Sequence, residues 1–213
     1  MQDDDSQPSA PPSGTVPPAA ADTLVTATMM PTIARDISGT AWFGWSVAGF
    51  VLGSIVAGAT SGYVAGRIGL KRALMLGGLV YAAGCGLSAL SPNILVFLAG
   101  RTVQGIGGGW TAGLCYVAVT ALFAETLWPR VLSALAGVWG FSTLSSPLIG
   151  GLFAEHDFWR GGFWFFAVQG AAFIAAAAAL VPDRSAEDDP DTPIPWRQMI
   201  TLICAIAAIS AAG

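Results

Sequence analysis

Arg101 stands alone in a charge-free stretch that runs from Ala73 to Ala124, with Arg72 and Glu125 as the nearest charges on either side. A stretch that long and that apolar has to hold two bilayer crossings, each taking about 20 residues. The turn signal Ser91-Pro92-Asn93 divides it, which puts Arg101 inside the second crossing. A charge at the bilayer centre costs on the order of 2.5–3.5 kcal/mol on insertion scales and is usually kept for function. Directly after it comes Gln104-Gly105-Ile106-Gly107-Gly108-Gly109, a run small enough for another helix to approach closely.

The rest of the chain agrees with an all-α membrane protein. Hydrophobic residues make up 54% and charged residues 10%, and mean hydropathy is +0.65; soluble domains carry about 25% charged residues. The net charge of −4 says little about partners, because the acids gather in Asp3–Asp5, in Asp183–Asp191 and around Glu155 and Asp157. No basic patch points to nucleic acid. Cys85, Cys115 and Cys204 lie at unrelated spacing in apolar segments and read as buried thiols. With one histidine, His156, no metal site and no cofactor are expected. Met1–Pro18 has no apolar core of a signal peptide, and its prolines suggest a solvated tail over residues 1–21.

Charge-free intervals predict helices near 42–65, 73–90, 94–123, 131–154 and 161–181, then an acidic cytoplasmic loop over 182–195 and the start of a seventh transmembrane helix over 196–213. A first helix near 22–34 has 13 residues, too few to span, behind a tail whose prolines cannot extend it. The chain is therefore expected to be incomplete at both ends. If the Arg67, Lys71 and Arg72 connection is cytoplasmic, Arg130, Arg184 and Arg197 fall on the same side and only Arg35 and Arg160 on the other, which follows the positive-inside bias. That orientation places the N-terminal tail in the cytoplasm and the chain in a cell (inner) membrane. Trp42, Trp45, Trp128, Trp159, Trp164 and Trp196 fall near helix ends, as interfacial tryptophans do. Trp110 and Trp139 are mid-helix exceptions that could line a cavity, or simply pack.

Helices in lipid associate through small residues. Gly49/Gly53 and Gly58/Gly62/Gly66 supply such a stripe on the second helix, Gly105/Gly109/Gly113 on the fourth, and Ser133/Gly137 with Ser142/Ser146/Gly150 on the fifth. Gly107 to Ala112 also fits a dinucleotide-binding pattern, but no strand precedes it and the segment is a membrane helix. Pro147, followed by Gly150 and Gly151, removes one backbone hydrogen bond and bends the fifth helix, either as a fixed kink or as a point of rocking.

Four segments in order resemble the major facilitator superfamily, and most closely its fourteen-helix branch of drug:proton antiporters. Asp22 to Asp36 resembles that branch's first-helix signature, and Gly62-Tyr63-Val64-Ala65-Gly66-Arg67-Ile68-Gly69-Leu70-Lys71-Arg72 the loop between helices two and three. Arg101-Thr102-Val103-Gln104-Gly105-Ile106-Gly107 resembles the fourth-helix motif, and Ser146-Pro147-Leu148-Ile149-Gly150-Gly151 the antiporter motif of helix five. The resemblance covers about Asp22 to Val181, the N-terminal six-helix bundle of the fold (residues 22–181). Departures are Gly66 in place of an acid, Ser142 and Ser146 in place of glycines, and Phe166-Ala167-Val168 in place of an Asn-x-Pro.

The resemblance implies alternating access between two bundles around a midplane site, with this chain supplying one bundle and the remaining C-terminal half supplying the other. It implies a small-molecule substrate and protons as coupling ions. Asp22 is then the candidate proton carrier, since a carboxyl in low dielectric takes up a proton more readily; a plain helix N-cap is its other reading. Arg101 and Gln104 would tune it, or Arg101 would bind backbone carbonyls as a structural residue. Arg67, Lys71 and Arg72, with Gly62 and Gly69, would anchor topology and form a gating loop. A non-transporting scaffold or regulatory half-transporter is the competing class. No nucleophile–base pair or phosphate loop speaks for an enzyme.

Overall fold

The computed structural model describes residues 19–37 and 42–182. The expected acidic loop over 182–195, the seventh helix over 196–213 and most of the tail over 1–21 lie outside them. Six α-helices are described: α1 (Ala19–Ile37), α2 (Phe43–Ile68), α3 (Leu70–Ala89), α4 (Ile94–Leu122), α5 (Trp128–Glu155) and α6 (Trp159–Leu180), with a short 3₁₀ turn at Glu125–Leu127 before α5. Four stretches, Gly44–Ile68, Leu70–Ala89, Ile94–Leu122 and Trp159–Leu180, are long and apolar enough to cross a membrane.

The helices outrun the charge-free intervals. α1 has 19 residues rather than 13, because Ala19–Ala21 join its first turn and Arg35–Ile37 its last. α2 continues through Gly66 and Arg67, and α3 begins before Lys71, leaving Gly69 as the whole connection. Gly69 makes that possible with φ 82°, a left-handed backbone that β-carbon-bearing residues avoid. A charge-free interval measures the apolar slab; helices carry on into the interface, where long basic side chains reach water.

At the opposite end of α3 the chain turns at Leu90–Asn93, and the Asn93 side chain accepts a hydrogen bond from the Val96 N–H at 3.0 Å, capping α4. α4 then runs between α2 and α3, α6 lies along α3, and α5 leans chiefly on α1. Close approach explains the first packing. A β-carbon at Gly105 or Gly109 would run into the backbone carbonyls of Phe50 and Ser54 on α2, and one at Gly107 into the backbone of Tyr81 on α3. The α2 glycines answer in kind: a β-carbon at Gly53 would lie 2.7 Å from the Thr102 carbonyl oxygen. Gly62, Gly66, Gly137 and Gly151 meet nothing within 4 Å, so only part of each small-residue stripe is used by the described helices. An aromatic and aliphatic core joins α1, α3, α4 and α6 through Met29, Ile33, Ala89, Phe97, Trp159 and Phe163. Phe97 meets Trp159 and Phe163 edge to face, with ring centroids 6.0 and 5.5 Å apart.

Candidate functional site

Arg101 is the eighth residue of α4 and is fully buried, as is Gln104 one turn later. Arg101 Nη1 donates to Gln104 Oε1 at 2.6 Å, and its guanidinium lies 4.4 Å above the Phe50 ring of α2. Spacing of three residues on one helix brings the two polar groups onto one face, and the neighbouring glycines let Phe50 reach the cation. A guanidinium in apolar surroundings is stabilised by such a ring face and by a charge-assisted hydrogen bond. Phe50 was not legible as a partner: it is one of eleven phenylalanines, and only the crossing of α2 over α4 selects it.

Asp22 is the fourth residue of α1, inside its first turn rather than at its cap; its side chain lies outside the described residues. Among the described side chains of α1, Thr26, Met29 and Ile33 form an inward stripe, all at most 1% exposed. That stripe meets Phe97 in the shared core. Counting about 1.5 Å per residue along each helix, Asp22 lies about 10 Å beyond Met29, and Arg101 about 6 Å beyond Phe97. α1 therefore carries Asp22 toward the depth of the polar pair on α4.

The other predicted residues are spread apart. Trp110 donates its indole N–H to Thr60 Oγ1 of α2 at 2.9 Å and packs against a second core of Ala73, Leu74, Leu114 and Ala177, so in this arrangement it fastens α4 to α2. The side chains of Trp139, Ser142 and Ser146 lie outside the described residues. Pro147 lies in the interior of α5, which continues past it as a single helix to Glu155; Pro147 is exposed and Gly150 buried. At the Gly69 end, Arg67 stacks on Tyr63 of its own helix, 5.3 Å from the ring centre. Arg67, Lys71 and Arg72 make no ion pair among the described residues.

A second polar group, not singled out as a site by residue spacing, occupies the opposite end of the bundle. Asp36 at the end of α1 accepts from Trp159 Nε1 at 3.2 Å and pairs with Arg160 Nη2 at 3.4 Å. Arg160 Nη1 also donates to the Ala89 carbonyl that ends α3, at 3.1 Å. Arg35 and Asp157 pair nearby at 3.7 Å, both largely exposed. These residues border an open cavity of about 320 Å³. The signal lay in the motifs themselves, since Asp36 closes the first-helix segment and Arg160 opens α6, but 124 positions separate them.

Comparison with known proteins follows the same lines. Residues 18–212 match the Major Facilitator Superfamily. A "Probable multidrug-efflux transporter" of Mycobacterium tuberculosis is 33% identical over 163 residues, covering 76% of this chain and 34% of that protein. A vacuolar basic amino acid transporter of Saccharomyces cerevisiae is 30% identical over 156 residues, 73% of this chain and 27% of its own length. An MFS-type efflux pump of a Fusarium species is 25% identical over 195 residues, 90% of this chain and 35% of its own length. The chain thus spans about a third of the length of the curated relatives it matches.

Proposed function

Since the chain belongs to the Major Facilitator Superfamily, a family of transporters rather than enzymes, we propose that it supplies one bundle of a secondary active transporter that exports a small molecule by alternating access in exchange for protons. The observation that carries the reading is the fully buried Arg101, bonded to Gln104 and stacked on Phe50. A buried charge of this kind is a poor way to gain stability, because a hydrophobic replacement often serves as well or better. Its retention in a membrane helix argues for a role in moving charge. Asp22, in the first turn of α1, is the proton carrier in this proposal, and Arg101 and Gln104 set its affinity for the proton.

Efflux is favoured over import because two of the relatives above are efflux transporters by name. The substrate would be a small molecule bound between this bundle and a second one, and the full transporter would lie in the cell membrane. The Gly69 end, with Arg67, Lys71, Arg72 and Arg130, would face the cytoplasm together with the N-terminal tail. One observation favours a non-transporting scaffold instead: Arg67 stacks on its own helix and, among the described residues, has no acid to latch onto.

Transport by the complete protein in proteoliposomes with an imposed pH gradient tests the proposal. Asp22→Asn should leave the protein folded and remove uptake driven by the gradient. Replacing the pair together, Arg101→Met with Gln104→Leu, should cut transport at least tenfold while leaving thermal stability within about 1 kcal/mol of wild type, since neither partner is left buried and unpaired. Normal, normally pH-dependent transport by an Arg101→Ala variant would rule out the coupling role.

A further inference from the structure

The geometry points to Arg160 and Asp36 as positioning residues: a three-helix staple that holds one end of α1 and thereby sets where α1 stands against α4. Three contacts converge there. Arg160 reaches Asp36 on α1 and the last carbonyl of α3 with separate nitrogens, at 3.4 and 3.1 Å. Trp159, 2% exposed, adds its indole N–H to the same Asp36 oxygen at 3.2 Å. The Arg160 guanidinium also lies 4.7 Å over the Trp159 ring, so its direction is fixed by stacking as well as by hydrogen bonds. The Ala89 carbonyl belongs to the last turn of α3, where unpaired carbonyls and the helix dipole both favour a cation.

Placement makes this staple more than a surface ion pair. Among the described residues, the buried positions of α1 run from Thr26 to Ile33, directly before the stapled end. The first turn of α1, with Asp22, is at the far end. α1 is thus fastened at one end, with α5 leaning on it. Although Pro31 removes one backbone hydrogen bond within it, α1 runs on as one helix from Asp36 back to Asp22 and carries a shift at one end toward the other. The adjacent Arg35–Asp157 pair is 73% and 76% exposed, against 38% and 51% for Arg160 and Asp36. It is the more fully screened by solvent and lacks the indole and Ala89 carbonyl contacts that tie Arg160 and Asp36 to α6 and α3.

Hydrogen–deuterium exchange on the chain in lipid nanodiscs tests the staple, with Asp36→Ala and Arg160→Gln as the variants. Each should speed exchange about tenfold along the whole of α1 and at the 89–93 turn, and leave α2 and α4 unchanged. The charge swap Asp36→Arg/Arg160→Asp should restore much of the protection, and Arg35→Gln should change nothing beyond its neighbours. Exchange confined to residues 35–37 and 156–160 would overturn the inference, as would equal loosening of α2 and α4. The link to Asp22 rests on the proposed proton coupling and has its own readout. In the complete transporter, Asp36→Ala should move the pH midpoint of transport by about half a unit; an unmoved midpoint beside faster α1 exchange would overturn the positioning role. If the wild type shows no proton-driven transport, the coupling proposal fails, and the exchange pattern alone decides the staple.

Discussion

α4 and α5 are nearly equal in length, 29 and 28 residues, and both are rich in small side chains, yet they live in different surroundings. α4 is enclosed by α2 and α3 along much of its length, with Phe97, Arg101, Gln104 and Leu114 fully buried. α5 leaves Val138, Phe141, Leu144, Leu148 and Leu152 between 53% and 82% exposed, spaced along one side of the helix. The difference is where the glycines point. On α4 they alternate between two neighbours, so backbones come together on both sides; on α5, Gly137, Gly140 and Gly151 meet nothing within 4 Å. Within a membrane an exposed apolar face costs nothing by itself, because lipid is as apolar as leucine. α4 is one of the four stretches apolar and long enough to cross a membrane and α5 is not among them; what separates their packing is the close-fitting small residues that decide which helices stay together.

Matched substitutions on the two helices would break this contrast if it is wrong. The largest effect is expected at Gly105 or Gly109, where leucine would strike backbone of α2 that cannot yield. Overpacking costs about 1–3 kcal/mol in ordinary cores and more where backbone is struck, so loss of monodisperse protein in detergent is the expected outcome. Leucine at Gly137 should leave the elution profile unchanged. Next comes Phe97→Ala, which empties a site between Trp159 and Phe163 and should lower unfolding stability by about 3 kcal/mol. Its counterpart, Leu144→Ala on a residue 82% exposed, should stay within about 0.5 kcal/mol. The smallest resolvable effect is Trp110→Phe, which removes the hydrogen bond to Thr60; interhelical bonds of this type average about 0.6 kcal/mol. A loss as large at Leu144 as at Phe97 would show that α5 is held more tightly than its exposure suggests.

Buried polarity divides the molecule in a second way. That Arg101 lies within the bundle was foreseeable from one charge in a long apolar run; the structure adds its bond to Gln104 and Phe50 as the surface on which the cation rests. The Asp36–Arg160–Ala89 staple was not foreseeable as a unit, because each of its members reads as an ordinary residue at a helix end. Trp110 shows the reverse case. Its mid-helix position left both a cavity and plain packing open, and here its indole N–H bonds Thr60 and its ring joins a packed cluster. A side chain's position along a helix does not tell which neighbour will meet it.

By itself, the amino-acid sequence determined that this chain is a bundle of membrane-crossing helices of the major facilitator kind, since apolar length, isolated charge and glycine spacing act locally along each helix. It also marked Arg101 as costly to bury. The helix ends, the choice of glycines that close on a partner, the ring beneath Arg101 and the staple at Asp36 were settled only in three dimensions. Those features depend on how two helices cross, and a crossing joins residues that the chain keeps dozens of positions apart.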